Sequence, residues 1–289
     1  MQYNTPPYLW TEHRKIITPE ESGLASLPCF GICSHQQAQK PLESHIHPGC
    51  MEIVMMIRGF QVYEVGGETF SLSGSDVFVT FPDELHSSAS QPESVSEIIW
   101  MQVDLSPGRP LFSLDAKKSS LLREALLSLP RLSEGRDSLF RMMKDAFFLL
   151  ADGDEFARFR GETLLVCALQ QLTVLASHSF GRRPDVITGA IQYIHDHIAE
   201  NISLDEAARA CGLSLSRFKT CFKEVTGSTP REYINQVKVR RAQRLLAEGM
   251  NVTDAAMAMG FNTPNYFSVV FRKFTGMSPT EYLKALNNG

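Results

Sequence analysis

The sequence predicts a multidomain α+β protein: a β-barrel over residues 1–106, a helical segment over 107–180 and an all-α domain over 186–289. Three observations carry that division. Short apolar or alternating runs, broken by Gly, Pro, Ser and Asp, fill the first third. The spacing of apolar residues then switches to a helical period. The final third contains an internal repeat.

The strand runs are "EIVMMI", "FQVYEV", "DVFVTF" and "EIIWMQV". Many short strands at close spacing build a sandwich or barrel. From Ser119 the pattern changes. "SSLLREALLSL", "RDSLFRMMKDAFFLLADG" and "DEFARFRGETLLVCALQQLTVLASHSF" read as helices. The last carries Leu164, Leu165, Ala168, Leu169, Leu172 and Leu175 on a three-four stripe. That stripe covers the barrel, and extra exposed apolar width would make it a homodimer seam; the sequence leaves both uses open. "SFGRRPD" (179–185) is turn-forming and basic, which puts the domain boundary there.

A chain of 289 residues is long enough for two hydrophobic cores. No apolar run approaches the roughly 18 residues of a membrane helix, and the start lacks a basic region followed by an apolar stretch. The expectation is a cytoplasmic protein with no membrane partner. The six cysteines are then free thiols. Cys29 and Cys33, in "LPCFGICSH", read as buried strand residues, and Cys221 as a core residue of a helix.

Charge is divided unevenly. Residues 182–289 hold 14 lysines and arginines against 10 acids, whereas the preceding 181 hold 14 against 22. A basic tail on an acidic protein points to a polyanion partner for that tail.

The repeat is specific. Ala207, Ala208, Ala210 and Gly212 recur 48 residues later as Ala255, Ala256, Ala258 and Gly260. After one inserted residue, Phe218, Phe222, Thr226, Gly227, Pro230, Glu232 and Tyr233 recur as Phe267, Phe271, Thr275, Gly276, Pro279, Glu281 and Tyr282. Each copy reads helix, tight turn, helix. In "SLDE", Ser203 caps the first helix while Glu206 reaches back. Gly212 and Gly260 end helices where a left-handed residue is needed. Ser214 starts the next helix in copy one, and Thr263-Pro264 does so in copy two with proline at the first position. "TPRE" and "SPTE" open further capped helices. Such a unit is a helix-turn-helix, whose second helix can lie in a DNA major groove. The spacer "PREYINQVKVRRAQRLLAEG" makes one helix of about 18 residues, roughly 27 Å long. With its end turns it can hold two reading helices about one DNA turn apart. Its "KVRRAQR" run offers phosphate contacts.

Residues 187–286 resemble the DNA-binding domain of the AraC/XylS family of bacterial transcription regulators. The resemblance rests on "ISLDEAARACGLSLSRFKTCFKEVTGSTPREYI", "RRAQRLL" and "AAMAMGFNTPNYFSVVFRKFTGMSPTEY". It implies two reading helices in successive major grooves of double-stranded DNA. By position, Ser216, Arg217, Lys219 and Thr220 face bases or phosphates from the first, with Lys223 near the backbone. Asn265, Tyr266, Ser268 and Val269 do so from the second, followed by Arg272 and Lys273. Phe218, Phe222, Phe267 and Phe271 are expected in the core. Many family members carry arginine where Thr220 and Val269 stand, so base specificity does not transfer.

His45, His47, Glu52 and Gly59 fit the first signature of the cupin barrel, a jelly roll. "GSDVFVTFPDELH" fits the second more loosely, with Gly74 at a turn, Asp83 in place of a usual glycine, and His86 as fourth ligand candidate. Residues two apart on a strand share a face, and a hairpin return brings Glu52 beside the two histidines. Three imidazoles and a carboxylate suit a divalent Zn, Ni, Mn or Fe ion. Three uses stay open: a metal centre, direct hydrogen bonding to an effector, or an inert remnant of the fold. Arg58, Tyr63 and Trp100 are further pocket candidates, with Arg58 beside an expected turn at Gly59. Barrels of this kind in AraC-like regulators usually bind a small effector, often a sugar.

The expected function is therefore an effector-responsive, DNA-binding transcription regulator acting as a homodimer, with RNA polymerase as partner if it activates. The rivals are a metal-dependent cupin enzyme joined to a DNA-binding domain, and a redox sensor using Cys29, Cys33 or Cys50.

Overall fold

The computed structural model describes residues 8–36, 38–89, 92–93, 95–178, 187–226 and 228–287. The chain forms two compact units. One comprises Met1–His35, Pro41–Gln91 and Ser96–Gly181, the other Gln36–Lys40, Pro92–Val95 and Arg182–Gly289. The expected boundary at 179–185 lies outside the described residues.

The strands and helices up to the boundary run β1 (Leu9–Trp10), β2 (Arg14–Ile17), α1 (Pro19–Ser22), β3 (Cys29–His35), β4 (Gln39–Pro41), β5 (Cys50–Val65), β6 (Glu68–Ser73), β7 (Asp76–Thr80), β8 (His86–Ser87), β9 (Pro92–Glu93), β10 (Ser96–Asp104), α2 (Ala116–Leu127), β11 (Leu132–Glu134), α3 (Asp137–Ala151) and α4 (Glu155–His178). The main sheet has the order β1-β2-β3-β10-β5-β7-β11, while β6 and β8 pair with the second half of β5. One strand thus serves two sheets, which face each other across an interior.

Alternation divides the side chains of this sheet between two cores. Met51, Ile53, Met55, Val77, Val79, Ile99, Met101 and Val103 pack outward with α2, α3 and α4. Val54, Met56, Phe78, Ile98 and Trp100 point inward, where Tyr63, Val65 and Leu72 meet them. The stripe on α4 does what covering the barrel requires: Leu165, Ala168, Leu169 and Leu172 are fully buried in the outer core. Phe147 of α3 seals it edge-on against Phe30, ring centroids 5.3 Å apart.

Three local expectations are corrected. "EIVMMI" and "FQVYEV" are not separate strands but one strand of 16 residues. Gly59 is no turn: its φ of +97° sits beside a bulge where the pairing with β10 slips between Glu97 and Ile98. A bulge and a turn draw on the same glycine, and only strand pairing separates them. The 107–180 segment is not purely helical either, because β11 adds to the sheet edge by pairing Leu132 with Phe78. Three residues are too few to show a period.

The second unit contains α5 (Thr188–Asp196), α6 (Leu204–Ala210), α7 (Leu215–Thr226), α8 (Pro230–Ala247), α9 (Val252–Ala258), α10 (Pro264–Thr275) and α11 (Pro279–Asn287). Each repeat copy has its own core, around Phe218 and Phe222 in one and Phe267 and Phe271 in the other. Gly212 and Gly260 take left-handed φ values of 66° and 62°. Thr229 and Glu232 form the reciprocal cap expected of "TPRE". Ser203 also caps its helix, but Glu206 does not reach back; its carboxylate accepts from the Tyr193 hydroxyl at 2.5 Å.

Gly31 allows the tightest approach in the barrel: a Cβ there would lie 2.3 Å from Trp100 Cζ2. Gly31→Ala is therefore expected to cost about 1–3 kcal/mol in denaturant unfolding. The loss should shrink in a Trp100→Leu background, because the two positions share one contact. Equal losses in both backgrounds would contradict this packing.

Candidate functional site

Strand register stacks the barrel interior in layers. Cys29, Gln102, Glu52 and Thr80 are successive Cα partners across β3, β10, β5 and β7, all on the inward face. The next layer is Gly31, Trp100, Val54 and Phe78. The polar layer meets two histidines carried by short connections. His47 ends in a tight turn, with Cys50 N–H donating to its carbonyl at 3.1 Å and Gly49 at φ +69°. His45 and His86 exchange backbone hydrogen bonds at 3.0 Å in both directions. Asp83, standing where the signature has glycine, adopts φ +66° and accepts from Gly49 N–H at 3.1 Å. Short acidic side chains tolerate that conformation through such local bonds, so the departure leaves the loop intact.

The expected cluster is brought together. Ligating atoms of His45, His47 and His86 lie within 4.8 Å of one another. Glu52 sits among them, Oε1 3.4 Å from His47 Nε2 and Oε2 3.3 Å from His86 Nε2. Gln102 Nε2 adds a contact of 3.2 Å to His47 Nε2. His45 Nδ1 donates to the Glu43 carbonyl at 2.7 Å and His86 Nδ1 to that of Glu84 at 3.0 Å. Since a carbonyl only accepts, both rings carry their proton on Nδ1 and can turn an Nε2 lone pair inward. Carbonyls in this role orient metal-ligating histidines. His86 Nε2 is buried with no hydrogen-bond geometry to any described partner. Burial works to raise the Glu52 carboxyl, but the close His47 and His86 imidazoles outweigh it and hold the group well below the usual carboxylate range. Burial opposes charge on His86 too, yet contact with Glu52 raises its pKa. Three nitrogen donors and one ionised carboxylate fit a divalent transition metal.

The remaining pocket candidates divide. Tyr63 and Trp100 line the interior, Tyr63 stacked on Phe78 at 5.0 Å. Arg58 does not. It pairs in register with Glu97, whose carboxylate reaches Lys144 of α3 at 3.5 Å, so it belongs to the helix-covered face. The bulge is the reason: one extra residue reverses which positions of β5 face inward. Sequence reasoning missed Gln102 and Arg14, which lie on inward faces that only the register identifies. The redox alternative weakens, because burial pushes the Cys29 and Cys50 thiols up to about 12 and protonated thiols react slowly.

In the second unit the two reading helices present the expected residues. Ser216, Arg217, Lys219, Thr220 and Lys223 of α7 are exposed, as are Asn265, Tyr266, Val269, Arg272 and Lys273 of α10, with Ser268 half-buried. Phe218, Phe222, Phe267 and Phe271 are fully buried behind them. Arg272 and Lys273 form wide ion pairs with Glu281 and Glu232, at 3.6 and 3.9 Å. The "KVRRAQR" run is not a uniform phosphate-contacting surface. Lys238 is 5% exposed, and its Nζ donates to the carbonyls of Glu200 at 2.9 Å and Gly260 at 3.5 Å. Burial lowers its pKa. It joins the turn of the second copy to the loop before the first, while Arg241 and Arg244 remain exposed.

Residues 31–143 match the family described as AraC-like ligand binding domain, and residues 207–285 match a helix-turn-helix domain family. The chain belongs to the AraC family. As a member it is a DNA-binding transcription regulator with a ligand-binding domain. It is 23% identical over 252 residues to the HTH-type transcriptional activator RhaR of Escherichia coli (strain K12), covering 84% of this chain and 88% of that protein. Among solved structures, the DNA-binding domain of AdpA in complex with a target DNA is 28% identical, covers 36% of this chain and 95% of that one, and has a TM-score of 0.35. Fatty-acid-bound ToxT of Vibrio cholerae is 13% identical, with coverage of 96% and 98% and a TM-score of 0.36. For the AraC-family protein described here, Lys219→Ala and Asn265→Ala should weaken specific DNA binding by roughly 1–3 kcal/mol each while shifting stability by no more than about 0.5 kcal/mol. Phe222→Ala should instead cost roughly 3–5 kcal/mol of folding stability. Thermal melts and operator titrations that rank these variants the other way would reverse the facing assignment.

Proposed function

We propose that this regulator is a transcription activator whose barrel binds a small polyhydroxylated effector, a sugar or related metabolite. The observation that carries the reading is the polar layer of His47, Glu52, His86 and Gln102, buried inside an apolar barrel one layer from Trp100. Buried polar groups in such number are costly unless something satisfies them. A sugar offers hydroxyls to that layer and an apolar C–H face to the indole. A Zn, Ni, Mn or Fe ion held by His45, His47, His86 and Glu52 would supply a Lewis-acidic anchor for an effector oxygen. The protein's own groups orient the effector: Glu52 and Gln102 accept and donate beside the histidines, and Tyr63 supports the opposite wall through Phe78.

Activation requires that the effector bind one conformation better than another, since equal affinity shifts no population. In this reading the protein works as a homodimer and engages RNA polymerase. Phe156 and Phe159, 67% and 63% exposed on α4, together with Val174, extend the apolar width beyond what covers the barrel. The name of the RhaR relative supports activation. A metal-dependent cupin enzyme is the competing reading, and turnover by the metal-loaded protein on candidate sugars separates the two.

His47→Ala should abolish the effector response of a reporter operator while leaving operator affinity within about twofold, because reading helices and barrel belong to different units. Metal content by elemental analysis should be near stoichiometric in the wild type and lost in the double variant His45→Ala, His47→Ala. A double variant with an unchanged effector response would reduce the cluster to a remnant of the fold. Operator affinity of the full chain should fall steeply with salt, as phosphate contacts release counterions; salt-independent binding would contradict the reading of α7 and α10.

A further inference from the structure

Arg14 lies on β2 directly opposite Cys33, on the strand face that lines the barrel interior. Its guanidinium carbon stands 5.2 Å over the Trp100 ring. Its Nε is buried without a hydrogen-bond partner, and among the described residues no carboxylate comes within ion-pair distance of it. The interior carboxylate nearest in the layer scheme, Glu52, is already held by His47 and His86. An arginine that is part-withdrawn from water and lacks a counter-ion is costly, and its flat fork matches a carboxylate or phosphate in two parallel bonds. Nothing in the sequence around "EHRKII" distinguishes this arginine from a surface one.

We propose that Arg14 is an anion anchor, so that the effector is an anionic sugar bearing a carboxylate or phosphate. This rests on the reading of the barrel as the effector site and adds its chemical class. Glu52 and Trp100 sit in adjacent layers, two residues or about 7 Å apart along the strands. A six-carbon skeleton spans that step. Its hydroxyl end meets Glu52, Gln102 and the histidines, its C–H face lies along Trp100, and its anionic end pairs with Arg14. A neutral sugar would leave the guanidinium unpaired.

The test uses the full-length Trp10→Phe protein, in which Trp100 is the only remaining indole. Trp100 emission is titrated with D-glucose, D-glucuronate, D-glucose 6-phosphate and inorganic phosphate. The expected result is a response to an anionic compound at concentrations about tenfold or more below those needed for glucose. Arg14→Gln should erase that preference, and Arg14→Lys should restore part of it. Glucuronate leading identifies a carboxylate, the phosphates leading identify a phosphoryl group. The proposal is overturned if glucose is as effective, if the preference survives Arg14→Gln, or if none of the four compounds perturbs Trp100. Operator binding, measured in parallel, should persist in every variant; its absence in the Trp10→Phe parent would count against the regulator reading and not against Arg14.

Discussion

A single strand that belongs to two sheets must change which of its side chains point inward, and the bulge at Ile57 and Arg58 in β5 makes that change. Before it, Glu52, Val54 and Met56 face the interior; after it, Tyr63 and Val65 do. Without the extra residue one half of the strand would turn its apolar side to the wrong face. The site depends on both halves. Glu52 comes from the first, while β8, which carries His86, is held by pairing with Val65 in the second. The bulge is thus what brings His86 within 3.3 Å of Glu52.

The same strand explains why the outer core is so demanding. Glu52 and Gln102 have chain neighbours that pack in the outer core with α2, α3 and α4. Met51 and Ile53 flank Glu52, and Met101 and Val103 flank Gln102; all four are fully buried. Residues of the polar layer are therefore held from behind by close-packed apolar contacts, which limits their freedom before any ligand arrives. Preorganisation of that kind lowers the cost of binding.

In the second unit the corresponding constraint is the connecting helix α8. It contributes to both cores, Ile234 and Val237 to that of the first copy and Val239, Ala242 and Leu246 to that of the second. Lys238 supplies a polar link between them, with Gly260 leaving room: a Cβ there would meet the Ala199 carbonyl at 2.9 Å and Lys238 Nζ at 3.1 Å. The second-copy glycine thus serves a left-handed helix end and a close approach at once, whereas Gly212 meets no atom within 4 Å and serves only the first purpose.

Much of this was legible in the primary structure. Period and repeat located α7 and α10, their exposed residues and their phenylalanine cores, because a helix-turn-helix is built from neighbours in sequence and its caps and glycines are local signals. The spacing of His45, His47 and Glu52 likewise announced a cluster, since a strand face and a tight turn are short-range features. What the tertiary structure alone decided are the long-range alignments. The facing of Arg58, the inward positions of Gln102 and Arg14, the addition of β11 to the sheet and the burial of Lys238 all depend on which strands or helices pair, and in what register. A shift of one residue reverses a strand's faces while leaving composition and local pattern unchanged, so no reading of the sequence by itself could assign them.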